Sequence, residues 1–186
     1  MKLIISFIAM CFVFNCTNAQ SNIPIPEFKN TINHVDTITN KLSTLEKVNG
    51  KLNQKKKAFG LAGIYINLSL FGKSSTVIFD QNQATFVVKL PDADTDPSVY
   101  VELYRFTIDW NNRIALVSAI KAMGGSKQAP SPKVDLAFTK IIPGVYLVTI
   151  PQNLTKGNYG FLLDAPSLLK QANEFSGATI YAFDIN

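Results

Sequence analysis

The sequence predicts a mainly β fold: an antiparallel β-sandwich of about eight strands, Ig-like or jelly-roll-like, preceded by an N-terminal amphipathic α-helix. Three observations carry this expectation. After Gly60, apolar and polar residues alternate over short runs. Clusters rich in Gly, Pro, Asn and Asp separate those runs. Ahead of Gly60, apolar residues recur instead at three- and four-residue spacing.

Lys2 and the apolar run 3–14 read as the charged start and hydrophobic middle of a secretory signal. The run is too short for a membrane-spanning helix, which needs about 20 residues. Thr17-Asn18-Ala19 sets small residues at the first and third positions before a cut, so 1–19 is read as a signal peptide and the mature chain begins at Gln20. The alternative is a lipoprotein anchored at Cys16, but Phe14 and Asn15 stand where a lipobox prefers small residues. Cys11 and Cys16 both lie in or beside the removed segment, leaving no disulfide, thiol nucleophile or thiolate metal ligand. The expected location is the periplasm or the outer membrane, soluble after cleavage.

Residues 20–26 form an extended lead-in, stiffened by Pro24 and Pro26. Over 27–59 the stripe Phe28, Ile32, Val35, Ile38, Leu42, Leu45 and Val48 predicts a basic amphipathic helix, and Asn49-Gly50 supplies a stopping signal. Val35, Ile38, Leu42, Leu45 and Leu52 also fit a short heptad seam. The stripe either docks on the β domain or binds a protein partner, as a coiled coil, in a groove, or against a second copy. From Gln20 to Gly60 there are seven lysines against Glu27, Asp36 and Glu46, whereas the charges after Gly60 cancel. Lys51, Lys55, Lys56 and Lys57 therefore bias this segment towards an acidic partner, an anionic membrane surface or a glycan. Nucleic acid is disfavoured, because no aromatic platform is interleaved with the lysines.

Residues 60–186 read as the β-sandwich domain, with strands over 61–71, 76–90, 98–108, 113–120, 133–142, 144–150, 159–164 and 179–185. A one- or two-turn helix is expected within 164–177. The β pattern looks complete in itself, so this fragment is expected to fold without the helix.

The stretches "FVVKLPDADTDPSVYVELYRF", "WNNRIALVSAI", "IPGVYLVTIPQNLTKGNYGFLLD" and "IYAFDIN" together resemble a loose group of exported bacterial β-sandwich proteins of bacteroidete-type envelopes. Leu154, Gly157, Tyr159, Phe161, Ala182 and Phe183 occupy the places of that group's closing pattern. The resemblance covers roughly 76–186, leaves out the helical segment and implies no activity or functional residue.

Candidate chemistry is sparse. His34 is the single histidine, without the partners a triad or a zinc site needs, and reads as an exposed helix residue. Asp92, Asp94 and Asp96 alternate like calcium ligands, but the loop lacks the central Gly and closing Glu, so a turn is expected. A carboxylate pair for glycoside hydrolysis would have to be drawn from Glu102, Asp109, Asp80 and Asp135. Trp110 sits at a hairpin tip where Asn111-Asn112 suit positive φ. It either packs over the sheet end or, with Tyr104 or Arg113 nearby, contacts a sugar or a protein. The loop 121–133 is long and rich in Gly, Ser and Pro. Asp36-Thr37-Ile38 matches a short O-glycosylation pattern. No catalytic residue, metal site or cofactor is assigned. The reading is a non-enzymatic envelope protein, an accessory or binding subunit that assembles through its helix. The alternatives are a carbohydrate- or ligand-binding module using Trp110 and, third, a hydrolase.

Overall fold

The computed structural model describes residues 23–56, 64–80, 85–120, 133–164, 167 and 176–186. The chain is β from its first described element. β1 (Thr31–Asp36), β2 (Lys41–Thr44) and β3 (Glu46–Lys56) occupy the span where the helix and its coiled-coil seam are expected. That expectation is overturned, and local chemistry explains why. Thr31, Ile32, Val35, Thr37, Ile38, Thr39, Thr44 and Val48 are β-branched, and no alanine occurs between Gln20 and Lys57. The helical spacing comes from a hairpin. Val35 and Leu42 are cross-strand partners, brought opposite each other by the turn between them. The Asp36 carboxylate accepts from the backbone N–H of Ile38 at 2.9 Å and Thr39 at 3.1 Å, and Asn40 takes a positive φ of 53°.

The remaining elements are β4 (Ile64–Phe71), β5 (Ile78–Phe79), β6 (Thr85–Lys89), α1 (Pro97–Tyr100), β7 (Val101–Asp109), β8 (Asn112–Ile120), β9 (Lys133–Val134), β10 (Ala137–Ile142), β11 (Val145–Thr149), β12 (Gly157–Leu163) and β13 (Ser176–Ile185). Each of the eight expected runs contains a strand, two of them split into shorter pieces. The short helix expected within 164–177 falls mostly outside the described residues.

Six strands close into an antiparallel barrel in the order β12-β13-β3-β4-β8-β7, with β7 returning to β12. β10-β11-β6-β1-β2 form a separate antiparallel sheet of five. The architecture is thus a barrel with a sheet packed on it, not the two plain sheets of an Ig-like or jelly-roll sandwich. β1 and β2 lie in the sheet and β3 in the barrel, so the segment before Gly60 is built into both layers.

Strand alternation distributes the core. On β13, Ala178, Ile180 and Ala182 point into the barrel with Leu52, Leu68, Leu70 and Phe106. Tyr181, Phe183 and Ile185 point the other way, against the sheet, with Phe86, Val88, Val148 and Phe161. The third side, the outer face of the sheet, buries Val35, Val87 and Val145, with Ile23 and Leu42 packed on them. A six-stranded barrel leaves little interior space, and Gly50 shows this. A Cβ there would come within 2.7 Å of Leu68 and 2.9 Å of Leu70. The Asn49-Gly50 pair is therefore a mid-strand fit opposite Thr179 and Ala178, not a helix stop.

The connection from β4 to β5 crosses one end of the barrel. Asp184 accepts from the Ser75 backbone N–H at 2.9 Å and from Asn158 Nδ2 at 2.7 Å. Arg113, only 1% exposed, lies at the same end, its Nη1 3.6 Å from Glu46 Oε2. Its Nη2 donates to the Phe71 carbonyl at 3.4 Å.

Candidate functional site

A concavity lies between the proline-stiffened lead-in and the β1–β2 hairpin. Pro24 and Pro26 fix an extended backbone that cannot join the sheet through their missing N–H groups. Lys89 on β6 holds this segment down, its Nζ donating to the carbonyls of Pro26 at 3.1 Å and Glu27 at 2.8 Å. Asn30, at φ 55°, then turns the chain into β1. Two tyrosines from the barrel side pin that corner: the Tyr181 hydroxyl donates to the Asn30 carbonyl at 2.6 Å and the Tyr100 hydroxyl to Asn30 Oδ1 at 3.1 Å.

The result is a cleft of about 330 Å³, inside the range of about 300–1,000 Å³ usual for small-molecule sites. Pro26, Phe28, Ile32, Leu42 and Leu45 give it apolar walls, and Glu27, Asn33 and Thr44 add polar points. Lys47 and Tyr181 close one side, the Lys47 ammonium standing 5.4 Å from the centre of the Tyr181 ring. The same two residues border a more polar depression of about 570 Å³ that includes Asn49, Tyr100, Asp164 and Thr179. Burial pushes the Tyr181 phenol up. Burial, with the Asp164 and Asp92 carboxylates, does the same to Tyr100. Both stay protonated as donors to Asn30 at neutral pH.

No family model, curated protein or solved structure matches this chain.

Among the described residues, those expected to form a partner-binding face lie in different parts of the fold. Val35 is buried on the outer face of the sheet and Leu45 in the main core. Leu42 is half-buried and lines the cleft, while Ile38 is 89% exposed at the hairpin tip. Lys51 is exposed on β3 opposite Ser69, and the backbones of Lys55 and Lys56 pair with Tyr65 and Ile64. Lys57 lies outside the described residues, as do 1–22, with Cys11 and Cys16, and 121–132.

His34 is not an exposed helix residue. It is buried on β1, stacked on Phe79 with ring centres 4.2 Å apart, its Nδ1 3.2 Å from Ser43 Oγ. Pro91 to Pro97 form the expected turn, in which Asp96 caps α1 by accepting from the Ser98 N–H at 2.9 Å. Among the described residues no cluster of three His, Cys, Asp or Glu suits a metal. Glu102 and Asp109 lie seven residues apart on one strand, about 23 Å, too far for a glycosidase pair. Glu102 is held by Lys133 Nζ at 2.7 Å.

Trp110 is 90% exposed, so it does not pack over the sheet end. Tyr104 and Arg113 are buried and cannot share a surface with it. The positive φ of this turn, 55°, belongs to Trp110 itself and not to Asn111 or Asn112. Sequence reasoning missed the cleft because Lys47 and Tyr181 are 134 positions apart and meet only as cross-strand partners. The one local signal was the Ile-Pro-Ile-Pro lead-in, a segment unable to pair as a strand yet apolar enough to cover one.

Proposed function

We propose that this chain is an exported, non-enzymatic binding protein of the cell envelope, and that its ligand site is the cleft between Pro26–Phe28 and the β1–β2 hairpin. The observation that carries this is the composition of its walls. Its lining is mainly apolar and carries one ammonium group, Lys47, 5.4 Å from the centre of the Tyr181 ring, with the Glu27 carboxylate elsewhere in the wall. Such a site suits a ligand with an apolar body and one anionic head, because burial of the body and charge pairing of the head are satisfied together. The assembly role expected of a helix has no support once that segment is β, so binding rests on the cleft.

Decanoate, a single-chain anionic amphiphile, is a suitable probe by titration calorimetry. The expected result is one-to-one binding. Thr44→Trp should fill the trough from its exposed rim, and Lys47→Glu should repel the carboxylate. Each should weaken binding at least about tenfold, equivalent to about 1.4 kcal/mol. Equal affinity in wild type and both variants would remove the cleft from consideration.

A further inference from the structure

We propose that the end of the barrel where β4 finishes and β7 turns into β8 is a docking tip for an anionic lipid bilayer. Three large apolar side chains project there without cover: Trp110 at 90% exposure, Phe71 at 76% and Ile108 at 47%. They belong to one structural unit. Asp109 pairs with Asn112 around the two-residue turn that carries Trp110. Phe71 pairs with Asn112 on the other side, and the Gly72 N–H donates to the Asn111 carbonyl at 2.9 Å.

The backbone at the tip supports a role outside the fold. Trp110 holds a φ of 55°, a conformation that favours glycine and strains a residue with a Cβ. An aromatic side chain kept in that position, touching solvent over nine-tenths of its surface, adds nothing to the core. Strain retained at an exposed side chain points to a contact made with something else.

Charge selects the occupant. Lys73, Arg105 and Lys156 are all exposed and gather beside the tip. Asn158 Nδ2 donates to the Lys73 carbonyl at 3.3 Å, and Arg105 Nη2 donates to the Lys156 carbonyl at 3.1 Å. Phe106, the partner of Asn158, lies four residues before Trp110 on the same chain, roughly 13 Å. Asp109 is the exposed carboxylate among them. An apolar tip flanked by three cations matches the layered chemistry of a bilayer surface, with acyl boundary inside and lipid phosphates around it. Tryptophan is the side chain best suited to that boundary. The cleft takes no part in this contact, so neither proposal depends on the other.

The test uses the full chain with mixed phosphatidylglycerol–phosphatidylcholine vesicles. Trp110 is the single tryptophan, so its emission reports this tip alone. Vesicles are expected to shift that emission to shorter wavelength, brominated acyl chains to quench it, and high salt to reverse both. Phe71→Ser combined with Ile108→Ser should lower partition about tenfold with an unchanged circular dichroism spectrum. Lys73→Glu combined with Lys156→Glu, which leaves every apolar residue in place, should lower it about as much. Vesicles that sediment the chain without altering Trp110 emission would put another surface on the lipid and overturn the proposal. So would emission that vesicles leave unchanged. A blue shift that grows with protein concentration in vesicle-free buffer would identify a second copy of the chain as the occupant, and would overturn it equally.

Discussion

The Tyr104 hydroxyl points along the barrel wall and donates to the Glu102 carboxylate, two residues back on the same strand. Burial, reinforced by that carboxylate, raises the phenol well above its ordinary value near 10. The folded chain therefore holds this proton more tightly than the unfolded chain does. Its contribution to stability is complete below about pH 10 and drains away as pH rises beyond it. Tyr100 and Tyr181, also raised, act in the same direction. Melting temperature measured from pH 8 to 11.5 should hold steady to about pH 10 and then fall. Tyr104→Phe should make that alkaline fall shallower, since Lys133 still satisfies Glu102. An identical alkaline slope in wild type and Tyr104→Phe would show that other groups account for it.

Among the elements, β3 has the largest structural role. It stands between β13 and β4, pairing with β13 from Glu46 to Leu52 and with β4 from Lys51 to Lys56. Removing it opens the barrel and exposes two strand edges, each with a row of unpaired backbone groups. Leu52 leaves the barrel interior at the same time, and β1 and β2 leave the sheet. A fragment of residues 60–186 should therefore fail to unfold cooperatively on heating, the opposite of what its apparently complete strand pattern suggests. A sharp melting transition in that fragment, matching the full chain, would mean that β3 is an accessory strand.

The whole molecule is held together by aromatic contact between its two layers. Phe86, from the sheet, meets Phe183 of the barrel at 5.2 Å between ring centres and Phe161 at 4.9 Å. Tyr159 stacks on Phe183 from the barrel side at 5.6 Å. Because one cluster serves both layers, they should unfold in a single step. Phe86→Ala should cost about 3–5 kcal/mol, the usual loss for a buried aromatic, and should still give one transition. Near-UV circular dichroism is dominated by the buried barrel tyrosines Tyr104, Tyr159 and Tyr181, while far-UV circular dichroism follows all strands. Two separated midpoints from these probes would show that sheet and barrel fold as independent units.

Alternation after Gly60 is a local property, and it was enough to mark eight strand-bearing runs and their antiparallel class. Period two records which face of a strand meets the core, and every strand carries that record in its own residues. Two strands joined by a four-residue turn carry a different record. Val35, Ile38, Leu42 and Leu45 have helical spacing because Asp36 and Asn40 fold one strand back on the next. The β-branched content and the Asx turn were visible in the sequence, but periodicity outweighed them. Barrel closure was not legible, because it depends on β7 meeting β12, and no residue in either strand names its partner. The same holds for the cleft and for the tip, where Lys47 finds Tyr181 and Phe71 finds the Trp110 turn through strand register. The sequence by itself determined the β class after Gly60, the turn from Pro91 to Pro97 and the hairpin tip that carries Trp110. Only tertiary structure decided which strands close the barrel and which side chains share a surface, because those relations are set by long-range pairing between segments with no local mark of each other.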